Sequence, residues 1–363
     1  MKKILIVTGE LSGFNYVKEL VPLIKEDFEI YGVFLEELPK TKLIVNANKL
    51  TAFGLFESIK KLPALLRAKR KIEETIKREK IEAVVLVDFP GFNLKIAQTA
   101  KNLGAKVLYF IPPKFWAWGE KRIERFKKVV DKTFVIFPFE LSFYQKHGIS
   151  VKYVGNPLID AVKPSSSKES FLKKFSLKEP LIALLPGSRT TEIKYLLKPI
   201  LEATTKLKGF SFALPVASSV KKEPIEKTVK SINPLVRLIP EEERYNLLFY
   251  SQIGIIASGT ASLEAAIAEL PHLVLYKLNP LTYFVAKRVV KIPFVSLPNI
   301  IADKFIVPEL IQEKVKPKAI IETSQGLLNN KEKFKKLLRK EVKEKLRGNA
   351  IKTLAEELKK ELL

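Results

Sequence analysis

Three stretches of this sequence carry side chains that could do chemistry. The first is Asp88-Phe-Pro-Gly-Phe-Asn93, directly after the apolar run Ala83-Val-Val-Leu-Val87. A carboxylate at the last position of a buried parallel strand faces the crevice where open α/β sheets bind ligands. Burial beside Phe89 and Phe92 would raise its pKa toward that of a general base. The competing reading is that Asp88 caps the turn that follows. The second stretch is Leu184-Leu-Pro-Gly-Ser-Arg-Thr-Thr-Glu192. It reads as a strand end, a tight glycine turn, a cation, and a helix capped by Thr190 or Thr191 that begins near Glu192. Glycine lets the backbone come close, the first helical N–H groups are free, and Arg189 can hold two oxygens at once. Together these suit phosphate. Taken alone, the same residues also describe an ordinary strand-to-helix turn with a surface arginine. The third stretch has a strand Ile253–Ala257, a small-residue turn Ser258-Gly259-Thr260, and a helix from Leu263 to Ala268. It repeats the design of the second. Glu264 could reach toward a sugar hydroxyl from there, or merely complement the helix dipole. Two such turns in one half of the chain strengthen the phosphate reading.

These residues need strands and helices to hold them. Ile4–Val7 reads as a first strand, Thr8-Gly-Glu-Leu-Ser-Gly13 as a glycine loop, and a helix follows from about Asn15 to Lys25. This is a Rossmann-like start, but the spacing is not G-x-G-x-x-G, so a dinucleotide is not indicated. Glu10 falls at the carboxyl end of that strand, as a ligand contact or as a surface acid flanking the helix. Lys106–Ile111, Thr133–Phe137, Val151–Val154, Phe210–Pro215, Val236–Leu238 and Leu273–Tyr276 read as further strands. Ser296-Leu-Pro-Asn299 reads as a turn from which Asn299 could fix a ligand amide or hydroxyl. Lys331–Arg347 reads as one basic helix with a solvated face. Lys163–Lys178, rich in Ser, Lys and Pro, marks a linker or the start of a second domain. The fold class is therefore α/β, with two Rossmann-like domains facing a cleft, spanning 1–160 and 175–345. That architecture suits a nucleotide-sugar glycosyltransferase.

Composition narrows the chemistry. The chain has 363 residues, 47% hydrophobic and 28% charged, as a globular protein of two domains would. It has no Cys, which removes disulfides, thiolate nucleophiles and Cys-ligated zinc. His147 and His272 are the only imidazoles, so a histidine metal site is not expected, and His147 reads as structural. The net charge of +25 fits nucleic acid, an anionic membrane surface or phosphorylated small molecules. The cations are scattered and no nucleic-acid motif lies among them. The apolar start Met1–Val7 is too short for a signal h-region, and nothing approaches the ~20 apolar residues of a spanning helix. A cytoplasmic chain with peripheral membrane contact is expected. Basic, aromatic segments near Phe53–Arg70, Trp116–Trp118 and Tyr283–Lys291 are candidates for that contact, although ordinary surface helices and a loop packed on its own domain explain them as well.

Read in order, the motifs resemble those of the lipid-A-disaccharide synthase family. The matching segments are Gly9-Glu-Leu-Ser-Gly13, Asp88–Asn93, Pro113-Lys-Phe-Trp-Ala-Trp118, Pro138-Phe-Glu140, Leu185-Pro-Gly-Ser-Arg189 with Glu192, and Ala257-Ser-Gly-Thr-Ala-Ser-Leu-Glu264. Tyr276-Lys-Leu278 with Pro280-Leu-Thr-Tyr283, and Ser296–Asn299 with Pro308-Glu-Leu310 and Gln312, complete the set. They cover nearly the whole chain. Phe14 stands where the family usually has Asp, and Asn156 where it usually has His. The resemblance implies a glycosyltransferase B-type fold, in which residues after about 345 return to the N-terminal domain. It also implies an inverting, metal-independent hexosyl transfer without a cofactor. The donor would be UDP-2,3-diacylglucosamine and the acceptor 2,3-diacylglucosamine 1-phosphate (lipid X). The products would be β-1,6-linked lipid A disaccharide 1-phosphate and UDP, made on the cytoplasmic face of the inner membrane.

On that implication each residue takes a role. An inverting transfer needs a base, and Asp88 is the candidate. Arg189 and the N–H groups around Ser188 and Ser258-Gly259-Thr260 would stabilise the leaving UDP. Glu264 would hold the ribose hydroxyls. Glu10, Ser12, Asn93, Asn299 and Gln312 would contact the sugars or the acceptor phosphate. Two other readings remain at this level. One is a different UDP-N-acetylglucosamine transferase or epimerase, and the other a basic membrane- or nucleic-acid-binding scaffold without activity. The oligomeric state stays open.

Overall fold

The computed structural model describes residues 1–50, 62–117, 119–289 and 292–363. The chain divides into two compact α/β units, Met1–Pro157 with Arg347–Leu363, and Leu158–Leu346. In the first unit seven strands form one parallel sheet: β1 (Lys2–Val7), β2 (Phe28–Phe34), β3 (Thr41–Asn46), β4 (Ala83–Val87), β5 (Lys106–Phe110), β6 (Lys132–Val135) and β7 (Val151–Tyr153). Their order is β3-β2-β1-β4-β5-β6-β7. The continuous apolar runs of β1 and β4 are what a strand covered on both faces requires. Side chains alternate between the two cores: Leu5 and Val7 enter one, Ile4 and Ile6 the other. Strand order reverses between β1 and β4, where Val7 pairs with Leu86. Open α/β sheets bind ligands outside the carboxyl ends at such a reversal.

The terminal helix Ala350–Leu362 belongs to this unit. Its Ile351, Leu354, Leu358 and Leu362 enter the same core as Val17, Leu20 and Val21 of the helix Leu11–Ile24. Lys106 and Lys132 also reach Glu361, at 2.9 and 3.1 Å. Each fully buried leucine stabilises by about 1.5–3 kcal/mol, whereas partly exposed ion pairs contribute about 0–1 kcal/mol. The apolar face therefore decides where the helix docks.

The second unit holds β8 (Leu181–Leu185), β9 (Ser211–Val216), β10 (Val236–Pro240), β11 (Ile253–Ala257), β12 (His272–Tyr276) and β13 (Glu309–Ile311). They are parallel, in the order β10-β9-β8-β11-β12-β13. Here the reversal lies between β8 and β11, where Leu185 pairs with Ile256.

Some elements differ from the sequence reading. β2, β3 and β13 were not expected. Glu29 and Gly32 interrupt the apolar run of β2, β3 is an edge strand with polar residues, and β13 is three residues long. Ser296–Asn299 is no turn: Ser296 is the N-cap of the helix Leu297–Ala302. Lys331–Arg347 is not one helix either. It stops at Glu341, the backbone leaves helical geometry at the fully buried Val342, and a short 3-10 turn Lys343–Lys345 follows. The segment from Phe53 to Lys61 lies outside the described residues, as does Trp118.

Candidate active site

Asp88 sits just past β4 at the reversal of the first sheet. It and Phe89 both adopt left-handed backbone geometry, with φ of 49° and 50°. Two such non-glycine residues in a row cost on the order of 1–3 kcal/mol each and persist only where neighbours hold them. The holders are visible. The Tyr109 hydroxyl donates to the Asp88 carbonyl at 2.8 Å, and the Asn93 amide donates to the same oxygen at 2.7 Å. Glycines bring the first helix close. A Cβ on Gly13 would lie 2.6 Å from Thr8 Oγ1 and 3.6 Å from the Asp88 Cβ, and one on Gly9 would lie 2.4 Å from the Phe89 ring. This is why the helix can start at Leu11, four residues earlier than Asn15, with Gly13 inside it. Burial pushes the Asp88 carboxyl up to about 6, aided by the charge of Glu10. A hydrogen bond from Phe89 and the charge of Lys114 act the other way. A carboxylate tuned to this range can take a proton near neutral pH. Glu10 is the N-cap residue of the first helix, and Ser12 is in its first turn; both are exposed at this edge.

In the second unit, Pro186–Arg189 follows β8 and Ser258–Thr260 follows β11, so both turns flank the reversal. Gly187 has φ 113°, and a Cβ there would lie 2.3 Å from Glu192 Oε2. Glu192 occupies the turn itself. Its Oε2 accepts from the N–H of Ser188 at 2.9 Å and of Arg189 at 3.1 Å, while Oε1 accepts from Arg189 Nη1 at 3.1 Å. The amides of Ser188 and Arg189 are thus not free, contrary to the sequence reading: the acid three residues into the helix reaches back to satisfy them. The Arg189 side chain is 74% exposed and keeps further donors for an anion. Ser258 does not offer a free amide either. Its N–H continues the sheet to Leu275 O at 2.8 Å, and its hydroxyl donates to Val295 O at 2.7 Å. Gly259 and Thr260 are exposed at the N-cap and first position of the helix Thr260–Ile267, where the first amides have no partner within the helix, with open space where a Gly259 side chain would be.

Glu264 is buried, and its carboxylate has protein partners that the sequence did not disclose. Arg244 Nε and Nη2 donate to its two oxygens at 3.2 and 3.1 Å, and the Tyr245 hydroxyl donates at 3.2 Å. Burial and the Glu264 charge push the Tyr245 hydroxyl up to about 12, so it stays a donor. Arg244 and Tyr245 begin a helix after β10, and no spacing rule links them to a residue two elements later.

Three residues expected at the substrates make hydrogen bonds inside the protein, while the buried Oδ1 of Asn93 has no partner among the described residues. Asn93 is fully buried; besides the Asp88 carbonyl its amide reaches Val7 O and Val87 O at 3.4 and 3.3 Å. Asn299 is fully buried. Its Nδ2 donates to Val307 O and Glu309 Oε1, and its Oδ1 accepts from the N–H groups of Ile306 and Val307. Gln312 is buried, its side chain paired with both the N–H and the C=O of Leu278. An amide side chain is selected as readily for a buried backbone as for a ligand, and sequence does not separate the two. Phe14 points into the core beside Phe34, and Asn156 is buried, its N–H bonded to Arg347 O. His147 is structural, with Nδ1 bonded to Phe143 O at 2.9 Å.

Two parallel α/β sheets, each with its candidate residues at the strand-order reversal, define a glycosyltransferase B-type fold. A co-structure of S. aureus MnaA with UDP superposes with a TM-score of 0.67 at 16% identity, covering 100% of this chain and 97% of that one. Acinetobacter baumannii MurG superposes with a TM-score of 0.64 at 14% identity, covering 99% and 100%. These likenesses show the fold. The sequence model described as lipid-A-disaccharide synthetase matches residues 4–362. The lipid-A-disaccharide synthase of Aquifex aeolicus (strain VF5) is 40% identical over 345 residues, 93% of this chain and 93% of that protein. The chain belongs to the lipid-A-disaccharide synthase family.

Proposed function

We propose that this protein transfers 2,3-diacylglucosamine from UDP-2,3-diacylglucosamine to 2,3-diacylglucosamine 1-phosphate, releasing UDP. The observation that carries this beyond family membership is Asp88, a carboxyl on a left-handed backbone at a sheet reversal with its pKa raised to about 6. The first unit takes the acceptor and the second the donor. Asp88 removes the proton from the acceptor 6-hydroxyl as its oxygen bonds to the anomeric carbon. The bond from that carbon to the β-phosphate oxygen breaks, and UDP leaves with the electron pair. Arg189 and the amides of Gly259 and Thr260 receive the charge that develops on the diphosphate. Glu264, oriented by Arg244 and Tyr245, takes the ribose hydroxyls. Glu10 and Ser12 orient the acceptor. No step calls on a metal or a cofactor.

The lipid substrates are met at the cytoplasmic face of the inner membrane. Among the described residues no helix is long and apolar enough to cross a membrane. Exposed Leu62 and Leu66 on the basic helix Leu62–Glu79, and exposed Phe284 and Phe305, are the surfaces this reading assigns to acyl chains and lipid phosphates. The test is incubation with the two diacylated sugars. Disaccharide 1-phosphate and UDP in equal amounts support the proposal. Turnover of UDP-N-acetylglucosamine alone, without either lipid, would replace it with the epimerase reading.

A further inference from the structure

The loop after β5 holds one cation in an unusually fixed frame. Residues on both sides of Lys114 are anchored. The Tyr144 hydroxyl donates to Pro113 O at 2.8 Å, and the Phe115 ring is buried 5.3 Å from Phe126. Trp116 Nε1 donates to the buried Glu140 at 3.0 Å, with its ring edge-on to Phe139 at 4.9 Å. Glu140 is itself fixed by the N–H of Phe137 at 3.2 Å, at the start of the helix Pro138–Lys146. Among the described residues 112–117, Lys114 alone is exposed. Yet β5 is the strand next to β4, with Phe110 paired to Val87, and the Lys114 charge is felt at both Asp88 and Glu140. Lys101 and Lys18, by contrast, have the carboxylate neighbours Asp131 and Glu36. An exposed cation on a braced loop, past the strand next to that of the candidate base, is suited to an anion arriving with the acceptor. An ammonium serves phosphate as a point charge, without the fixed fork of arginine.

We infer that Lys114 binds the phosphomonoester of the acceptor and so sets the enzyme's preference for a phosphorylated acceptor sugar. The inference rests on the transfer reaction proposed above. Asp88 acts on the acceptor hydroxyl, and Lys114, one strand over, holds the charged end of the same molecule. The Trp116–Glu140 and Tyr144–Pro113 hydrogen bonds serve as its mount.

The test compares kcat/KM for the 1-phosphorylated diacylglucosamine with that for the same sugar lacking phosphate, in wild type, Lys114→Gln and Lys114→Arg. The expected result is a preference reduced about tenfold or more in Lys114→Gln, largely restored in Lys114→Arg, with the KM for the UDP donor unmoved. A Lys114→Gln enzyme that keeps the wild-type preference overturns the inference. So does a rise in donor KM in place of acceptor KM, since the lysine would then serve the diphosphate. If wild type forms no disaccharide from either acceptor, it is the parent reaction that fails. Lys114 is exposed, so loss of folding does not confuse the outcome; matched thermal unfolding of the three proteins verifies this.

Discussion

The two sheet reversals are built alike and finished differently. At β1/β4 the polar group is a half-buried carboxyl held in strained backbone geometry by Tyr109 and Asn93. At β8/β11 it is an arginine three-quarters exposed, on a turn whose own amides are already satisfied by Glu192. The contrast fits the two tasks proposed for them. A base must be shielded from water to gain proton affinity, and the shielding takes structure to maintain. An anion receptor must stay charged and accessible. Its turn also shows its aptitude: it already binds a carboxylate, supplied by its own helix.

Removing the shielded group should have the largest effect. Asp88→Ala is expected to lower kcat by about 10²–10⁴-fold, the range for a lost general base, with a smaller change in KM. Turnover within a few-fold of wild type would take the base role from Asp88. Arg189→Ala should follow at about 10²–10³-fold, the range for a lost donor to a developing oxyanion. If only the donor KM rose, Arg189 would be a binding group alone.

The pH profile separates the two sites. Asp88 must be deprotonated to act, so kcat/KM should fall as pH drops through about 6. Glu10 raises that value and Lys114 lowers it. Glu10→Gln should therefore move the acid limb to lower pH, and Lys114→Gln should move it higher. Arg189 variants should leave the limb in place. A limb that ignores Glu10→Gln would mean that a different group is titrating.

The braces should report on stability. Asn299→Ala leaves buried N–H groups and Glu309 with fewer partners. A loss of about 2 kcal/mol or more in unfolding free energy is expected, read by denaturant titration. The smallest effect should come from Glu192→Ala, which removes a helix cap worth about 1 kcal/mol. It also frees the Ser188 and Arg189 amides, so a donor KM that falls would show that Glu192 competes with the diphosphate.

Much of this was legible in the chain. The limits of β4, β8 and β11 were fixed by unbroken apolar runs, each ended by a polar residue or a glycine turn. Motif order along nearly all of the sequence identified the family. That Glu10, Ser12, Asp88 and Arg189 lie at strand-to-helix junctions could be read because such a junction is a local feature. What the sequence could not separate was a polar side chain facing a ligand from one facing its own backbone. Asn93, Asn299 and Gln312 have the residue types of substrate contacts, and the fold gives each of them hydrogen bonds to its own backbone. The pairing of Arg244 with Glu264, the capture of the Ser188 amide by Glu192, and the frame around Lys114 were likewise decided in three dimensions. The physical reason is one of range. Hydrophobic periodicity and turn chemistry act over a few residues and are written locally. The partner of a hydrogen-bonding group is set by whichever distant segment the packed core brings beside it.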